Sequence, residues 1–233
     1  MGSVKDRMKK KAIIISIKGC QLSKNEKFLF KNEKPWGLIL FERNIKSIEQ
    51  TKRLIKKVRK LTKDPNFPIL IDEEGNKVSR LKKLIHHRFY QKYFGDIYKF
   101  NNKTGLSIYK DYIDNLTIFL KKIGVNINTV PVLDVLRKNT SRIIGNRSFS
   151  NDANIVKKLG QICVKQYELN KLATVIKHIP GHGCASQDSH LKMPKVKLNY
   201  KVLNKIDFLP FKSNSSKFAM TGHILYEKVD KKN

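Results

Sequence analysis

The segment from residue 177 to residue 190 holds the densest set of groups that could do acid/base chemistry. It reads Lys-His-Ile-Pro-Gly-His-Gly-Cys-Ala-Ser-Gln-Asp-Ser-His, and so places three histidines, a lysine and an aspartate around two glycines. Asp188 lies two residues before His190, close enough for its carboxylate to orient the imidazole and favour the charged form. A histidine held in this way acts as a general acid and base near neutral pH. The segment therefore predicts a catalytic loop.

Strands and helices must position this loop, and the hydrophobic pattern predicts both. Six short apolar runs predict strands, at residues 12–17, 37–41, 68–71, 125–128, 172–176 and 218–221. Apolar residues at three- and four-residue steps predict helices over residues 48–61, 104–123 and 154–170, the last with a cap at Asn151 or Asp152. This alternation indicates an α/β fold with parallel strands buried on both faces.

Polar residues stand at or just past the carboxyl ends of these predicted strands. They are Arg43, Asn44, the run from Asp72 to Glu74, Asp134, Lys177, His178 and His223. A (β/α)₈ barrel builds its active site at that rim. An open doubly wound sheet also binds its ligand there, so the periodicity alone does not choose between the two folds.

Six segments in chain order resemble the motifs of one enzyme family. They are Leu-Phe-Glu-Arg-Asn-Ile at 40–45, Ile-Asp-Glu-Glu-Gly continuing to Val-Ser-Arg at 71–80, Pro-Val-Leu-Asp at 131–134, Ile-Gly-Asn-Arg-Ser-Phe at 144–149, the 177–190 segment, and Ala-Met-Thr-Gly-His at 219–223. Together they resemble the bacterial family 3 glycoside hydrolases, specifically the β-N-acetylhexosaminidases of peptidoglycan recycling. The resemblance implies a (β/α)₈ TIM-barrel-like fold, incomplete, with about six βα units over residues 12–233, after a basic segment at residues 1–11.

The resemblance also implies a reaction and roles for particular residues. The expected activity is retaining hydrolysis of terminal N-acetyl-β-glucosaminide bonds in muropeptide substrates, without a cofactor. His190 matches the acid/base and Asp188 its partner. The positions that match the binding of the N-acetylglucosamine ring are Asp72, Arg80, Arg147, Lys177 and His178. Asp134 and His223 fit either a supporting role beside the substrate or a purely structural one.

The sequence departs from the family pattern at several positions. Asn76 stands for a second glycine, Lys77 for an arginine, Asn146 and Cys184 for aspartates. Asparagine tolerates the left-handed backbone region, so the first change is expected to be mild.

The larger departure concerns the nucleophile, which the family places in an Asp-Asp-Leu motif absent from this sequence. Asp207 and Asp230 lie at other positions and do not replace it. We therefore expect a C-terminally truncated family member with open strand edges, poor solubility or oligomerisation. Two functions stay open: an incomplete β-N-acetylhexosaminidase, or an inactive remnant that at most binds N-acetylglucosamine.

The composition of the chain limits the kinds of partner that the sequence predicts. The net charge of +30 comes mostly from lysine, with nine arginines, and the lysines are spread along the chain. Specific nucleic-acid recognition relies on arginine, so the sequence predicts no specific nucleic-acid partner. No apolar run approaches the roughly 18 residues of a membrane-spanning helix. Three scattered cysteines predict no disulfide framework, and together these features predict a cytoplasmic protein without a membrane partner.

A metal site is the remaining alternative for the catalytic loop. His178, His182, Cys184 and His190 are ligand types that zinc uses. Pro180 and Gly181 between the first two histidines exclude a helical pair of ligands, and the spacing fits no compact ligand pattern. The sequence therefore predicts no metal.

Overall fold

A computed structural model describes residues 10–86, 88–138, 140–185, 193–212 and 214–229. The chain divides into two compact units. The first comprises Met1–Asp72, Arg80–His86 and Phe119–Ile127, and the second comprises Glu73–Ser79, His87–Ile118 and Asn128–Asn233, each over its described residues.

The first unit alternates strands and helices. Its elements are β1 (Lys11–Ile15), α1 (Lys24–Phe28), a π-helical turn (Leu29–Glu33), β2 (Pro35–Leu40), a 3₁₀ turn (Glu42–Asn44), α2 (Ile48–Thr62) and β3 (Ile69–Ile71). β2 pairs in parallel with β1 and with β3. Serine side chains set the helix starts, since Ser23 accepts from the Glu26 amide and Ser47 from the Gln50 amide.

The second unit follows the same alternation. Its elements are α3 (Gln91–Phe100), most of α4 (Asn102–Ile123), the end of β4 (Ile127–Asn128), a 3₁₀ turn (Gly145–Arg147), α5 (Ala153–Leu169), β5 (Ala173–Ile179), β6 (Lys195–Val196), α6 (Tyr200–Lys205), α7 (Leu209–Lys212), β7 (Phe218–Thr221) and β8 (Leu225–Tyr226). Asp152 caps α5 by accepting from the Asn154 amide, which confirms one of the two predicted caps.

Among the described residues of the first unit the strand order is β1-β2-β3, and in the second unit β5 pairs in parallel with β7 and β6 with β8. All six predicted strands and all three predicted helices are present, with ends that differ by a few residues. The prediction that the strands are buried on both faces is right for β3 and β4 and wrong for β1, whose Ile13 and Ile14 are 51% and 44% exposed.

The end predicted for β5 is also wrong. The strand continues past Ile176, because Lys177 and Ile179 pair with Met220 and Thr221 of β7. Lys177 and His178 therefore lie in the strand itself and not in the loop after it. A strand holds its side chains in alternating directions, which fixes these two more firmly than a loop would.

Each unit has its own apolar packing. In the first unit Phe30 and Phe67 are buried and meet edge to face at 5.9 Å. In the second, Phe94 and Phe149 both contact the Tyr109 ring, at 4.7 and 5.5 Å. None of the helices in the described ranges is both long enough and apolar enough to cross a bilayer.

Candidate functional site

Three charged side chains form a buried ion cluster in the second unit: Glu74, Arg147 and Lys177. The Lys177 ammonium lies 2.5 Å from Glu74 Oε1 and donates to Thr129 Oγ1 at 3.0 Å. Arg147 approaches the same carboxylate with two nitrogens, Nε at 2.7 Å and Nη2 at 2.9 Å. The side chains of Glu74 and Lys177 are 3% and 2% exposed. Such a two-point guanidinium contact fixes the orientation of the arginine as well as its position.

The electrostatics of the cluster depend on all three members. Burial by itself would raise the pKa of Glu74, but the charges of Lys177 and Arg147 and their hydrogen bonds hold it below its ordinary value. Glu74 is therefore a carboxylate at neutral pH. Loss of this carboxylate would remove a buried counter-ion that Lys177 and Arg147 share, which is costly.

A second arrangement joins Asp134 to two histidines. Asp134 is fully buried, and its Oδ2 lies 2.7 Å from His178 Nδ1 while its Oδ1 accepts from the His182 amide at 2.6 Å. Burial would raise the pKa of Asp134, yet the hydrogen bonds and charges of the histidines lower it. The carboxylate thus fixes the His178 ring. The other ring nitrogen of His178 lies 3.4 Å from Arg147 Nη2, which links this arrangement to the ion cluster.

The His182 side chain is buried beside them, with its ring centroid 6.1 Å from that of His178. Burial lowers its pKa, partly offset by Asp134. Neither ring nitrogen has a hydrogen-bond partner within the described residues. A neutral imidazole is the form consistent with this environment.

The loop that carries His182 is packed closely against the segment after Asp134. A side chain at Gly183 would place its Cβ 1.9 Å from the Val135 carbonyl oxygen, so only glycine allows this approach. Thr140 donates to the Gly183 carbonyl at 2.6 Å, and Tyr226 donates to the Gly181 carbonyl at 2.7 Å. Gly183 therefore allows the loop to pack against the segment after Asp134, and the Gly181 and Gly183 carbonyls accept hydrogen bonds that hold the loop in place.

In the first unit, two predicted binding residues contact each other. Arg80 Nη2 lies 3.3 Å from Asp72 Oδ2, and the two side chains are 28% and 15% exposed. Arg43 and Asn44 have a structural role there, because both donate to the Ile17 carbonyl at 3.0 Å. They tie the chain after β1 to the chain after β2.

The turn after Asp72 shows why an asparagine at position 76 is accommodated. Gly75 has a φ of +134°, and a Cβ there would lie 2.3 Å from the Phe89 carbonyl oxygen. Asn76 is outside the left-handed region, and its amide donates to that same oxygen at 2.8 Å. The asparagine is accommodated for this reason, and its tolerance of left-handed backbone plays no part.

The structure brings together Arg147, Lys177 and His178 in the second unit and Asp72 with Arg80 in the first. Asp188 and His190 lie outside the described residues. His223 is exposed, and no structural evidence supports either role for it. Asp207 is buried and forms an ion pair with Arg137.

Glu74 lies at the centre of the ion cluster, but the family motifs did not single it out. The run from Asp72 to Glu74 was predicted at the end of a strand, and the resemblance gave a binding role to Asp72 alone. A signal was present, since a lysine predicted at the end of a buried strand requires a counter-ion. Among the described residues, no group of three or more metal-ligating side chains is arranged to hold a metal ion.

Known proteins resemble both the sequence and the fold. Residues 8–233 match the model of the glycosyl hydrolase family 3 N terminal domain. A beta-hexosaminidase from Hydrogenovibrio crunogenus is 32% identical over 221 residues, covering 94% of this chain and 61% of that protein. The native NagZ structure from Neisseria gonorrhoeae is 27% identical with a TM-score of 0.88, covering 95% of this chain and 65% of that one.

A second structure of that NagZ, in complex with N-trifluoroacetyl-D-glucosamine, has a TM-score of 0.89 and 27% identity over 95% of this chain and 66% of that chain. The chain thus spans less than two thirds of the length of these relatives. The structural match confirms the predicted fold class, an incomplete α/β fold of the TIM-barrel type.

Proposed function

The chain belongs to glycosyl hydrolase family 3. We propose that it takes part in hydrolysing terminal non-reducing N-acetyl-β-glucosaminide bonds in peptidoglycan fragments. The relatives named beta-hexosaminidase support the reaction class. The NagZ complex with a modified glucosamine supports a substrate ring of that type. The muropeptide substrate and a cytoplasmic location are the finer parts of the proposal, and they rest on the sequence motifs and composition.

The observation that carries the proposal is the convergence of three motifs on one buried carboxylate. Arg147 and Lys177 lie more than seventy and more than one hundred positions after Glu74, yet both have a nitrogen within 2.9 Å of its carboxylate. The cluster holds Arg147 beside His178, whose side chain is 17% exposed. Pre-oriented donors of this kind suit the hydroxyl groups of a sugar ring, because they lose little freedom on binding.

The proposed chemistry divides between groups of different kinds. His190 donates a proton to the leaving glycosidic oxygen and then accepts one from the attacking water, while Asp188 favours its charged form. A retaining reaction also requires a carboxylate nucleophile, which bonds to the anomeric carbon as the glycosidic bond breaks and is then displaced by water. The Asp-Asp-Leu motif that supplies this carboxylate in the family is not among these 233 residues. Arg147, Lys177 and His178 would hold the N-acetylglucosamine ring, and Asp72 and Arg80 are the further binding residues.

The test is hydrolysis of a chromogenic N-acetyl-β-glucosaminide by the 233-residue chain, with His190→Ala beside it. If the unsubstituted chain hydrolyses the substrate, we expect the substitution to slow turnover about 100- to 10,000-fold, the usual contribution of a positioned acid/base. His86→Ala is the matched control, because His86 is exposed and belongs to none of the motifs. Its turnover should equal that of the unsubstituted chain.

Equal turnover in the His190→Ala variant would overturn the role of that residue. A folded chain that binds N-acetylglucosamine without turnover, with binding weakened by Asp72→Asn, would support the binding-only alternative. A folded chain that neither binds nor turns over would overturn the proposed function.

A further inference from the structure

A groove in the first unit has a charge pattern that the proposed function does not use. It lies between α2 and the end of α4, has a volume of about 620 Å³ and is lined by eleven residues. Six of these are cationic: Lys52, Arg53, Lys56, Arg59, Lys121 and Lys122. We call it the basic groove. Its volume is within the range of small-molecule binding sites.

The cation density of the basic groove exceeds what the composition of the chain explains. Lysine and arginine make up 49 of 233 residues overall, against six of eleven here. A second groove, in the other unit, has two lysines and one glutamate among its ten lining residues. A high lysine content therefore does not by itself fill every groove with positive charge.

Few carboxylates compensate these charges. Glu49 is the acidic residue among the eleven that line the groove, and it precedes Arg53 by four residues on α2. In the described part of the chain, Lys52, Lys56 and the two α4 lysines form no ion pair. The groove therefore has a large excess of positive charge.

Helix dipoles account for only part of the pattern. Lys121 and Lys122 lie in the last turn of α4, where cations are favourable. Lys52 and Lys56 lie in the first half and middle of α2, where the dipole gives no such benefit, and their four-residue spacing places like charges side by side. The stability of the helix therefore gives no reason for Lys56 to stand beside Lys52.

Arg59 gives the groove a fixed wall. Its Nη2 donates to the Gly124 carbonyl at 2.9 Å, just past the end of α4. Its Nε is buried without a hydrogen-bond partner among the described residues. Asp64, whose charge offsets the burial of Arg59, is itself 2.6 Å from Lys10. A guanidinium anchored through one nitrogen keeps a fixed position in the groove, and its charge suits an anionic group with several acceptor oxygens.

We propose that the basic groove binds a compact phosphorylated molecule with at least two phosphoryl charges. Lysine ammonium groups and a guanidinium are the donors that proteins use for phosphate. The concave shape between two helices suits a small ligand rather than a polynucleotide, which needs an extended track of contacts. This inference is independent of the glycosidase proposal.

The experiment is a calorimetric titration with pyrophosphate in 150 mM NaCl. The groove variant combines Lys52→Gln with Lys56→Gln. The control combines Lys103→Gln with Lys110→Gln, two exposed lysines of α4 outside the groove, and so removes the same charge. We expect one site per chain, binding at least tenfold weaker in the groove variant and unchanged within twofold in the control.

Equal weakening in the two double variants would overturn the proposal and leave general attraction to a basic chain. Absence of saturable pyrophosphate binding by the unsubstituted chain would also overturn it. A twenty-nucleotide oligothymidylate forms a second arm. If only the oligonucleotide binds, and only the groove variant loses it, the groove is a nucleic-acid surface and the proposal is wrong.

Discussion

The buried ion cluster and the basic groove contain the same types of cationic side chain, lysine and arginine, but one is buried and the other is open to solvent. In the cluster, two cations share the one carboxylate of Glu74, which is 3% exposed, at distances of 2.5 to 2.9 Å. In the groove, six cations have one exposed lining carboxylate, that of Glu49. Burial demands compensation, because a charge removed from water is costly unless paired, whereas solvent screens exposed charges. The cluster is therefore built for fixed geometry and the groove for an incoming anion.

Removing the carboxylate from each region should give the largest difference in stability between the two regions. Glu74→Gln removes the buried carboxylate that Lys177 and Arg147 share, and we expect a loss of about 3–5 kcal/mol in the free energy of unfolding. Glu49→Gln makes the same chemical change at an exposed position, and we expect less than about 0.5 kcal/mol. Urea unfolding of both variants checks this. Similar losses would mean that burial does not distinguish the regions.

Acid should weaken the buried cluster in a defined direction. The pKa of Glu74 is below its ordinary value of 4.5 in the folded protein, so its stabilisation is complete above that value. It is lost as the pH falls through the folded pKa, because protonation removes the negative charge. The difference in unfolding free energy between the unsubstituted chain and Glu74→Gln should thus be constant from pH 7 to pH 5.5 and narrow below pH 4.5. A difference that widens on acidification would contradict the assignment of Glu74 as an ion-paired carboxylate.

The smallest expected effect concerns the uncompensated groove. Lys56→Glu places a carboxylate four residues from both Lys52 and Lys60, which replaces repulsion by attraction and should raise the unfolding free energy by about 0.5 kcal/mol. The same substitution should abolish pyrophosphate binding. Thermal unfolding at low salt and at 1 M NaCl measures the change in stability, and the gain should vanish at high salt because the charges are screened. A loss of stability would show that the groove charges support the fold.

The sequence was sufficient for most elements and for three of the residues that converge. Strand and helix positions followed from apolar spacing, because periods of 2 and 3.6 residues determine which face is buried. Arg147, Lys177 and His178 followed from motif resemblance, and the structure places them in contact distance of one another or of shared partners.

The spacing could not supply the contacts that these residues make. Glu74 and Asp134 are local neighbours of other acids or of apolar residues in the sequence, and nothing there distinguishes a buried counter-ion from a solvated one. Their partners Lys177 and His178 lie 103 and 44 positions away. The basic groove was equally invisible, since Arg59 and Gly124 are separated by 65 positions.

The sequence by itself determined the alternation of strands and helices, the family motifs and the excess of positive charge. These depend on residue type and local spacing, which are present before folding. The tertiary structure alone decided which charges are paired and which are not. That outcome depends on distances between side chains far apart in the chain and on how much water reaches them, and both are properties of the packed fold.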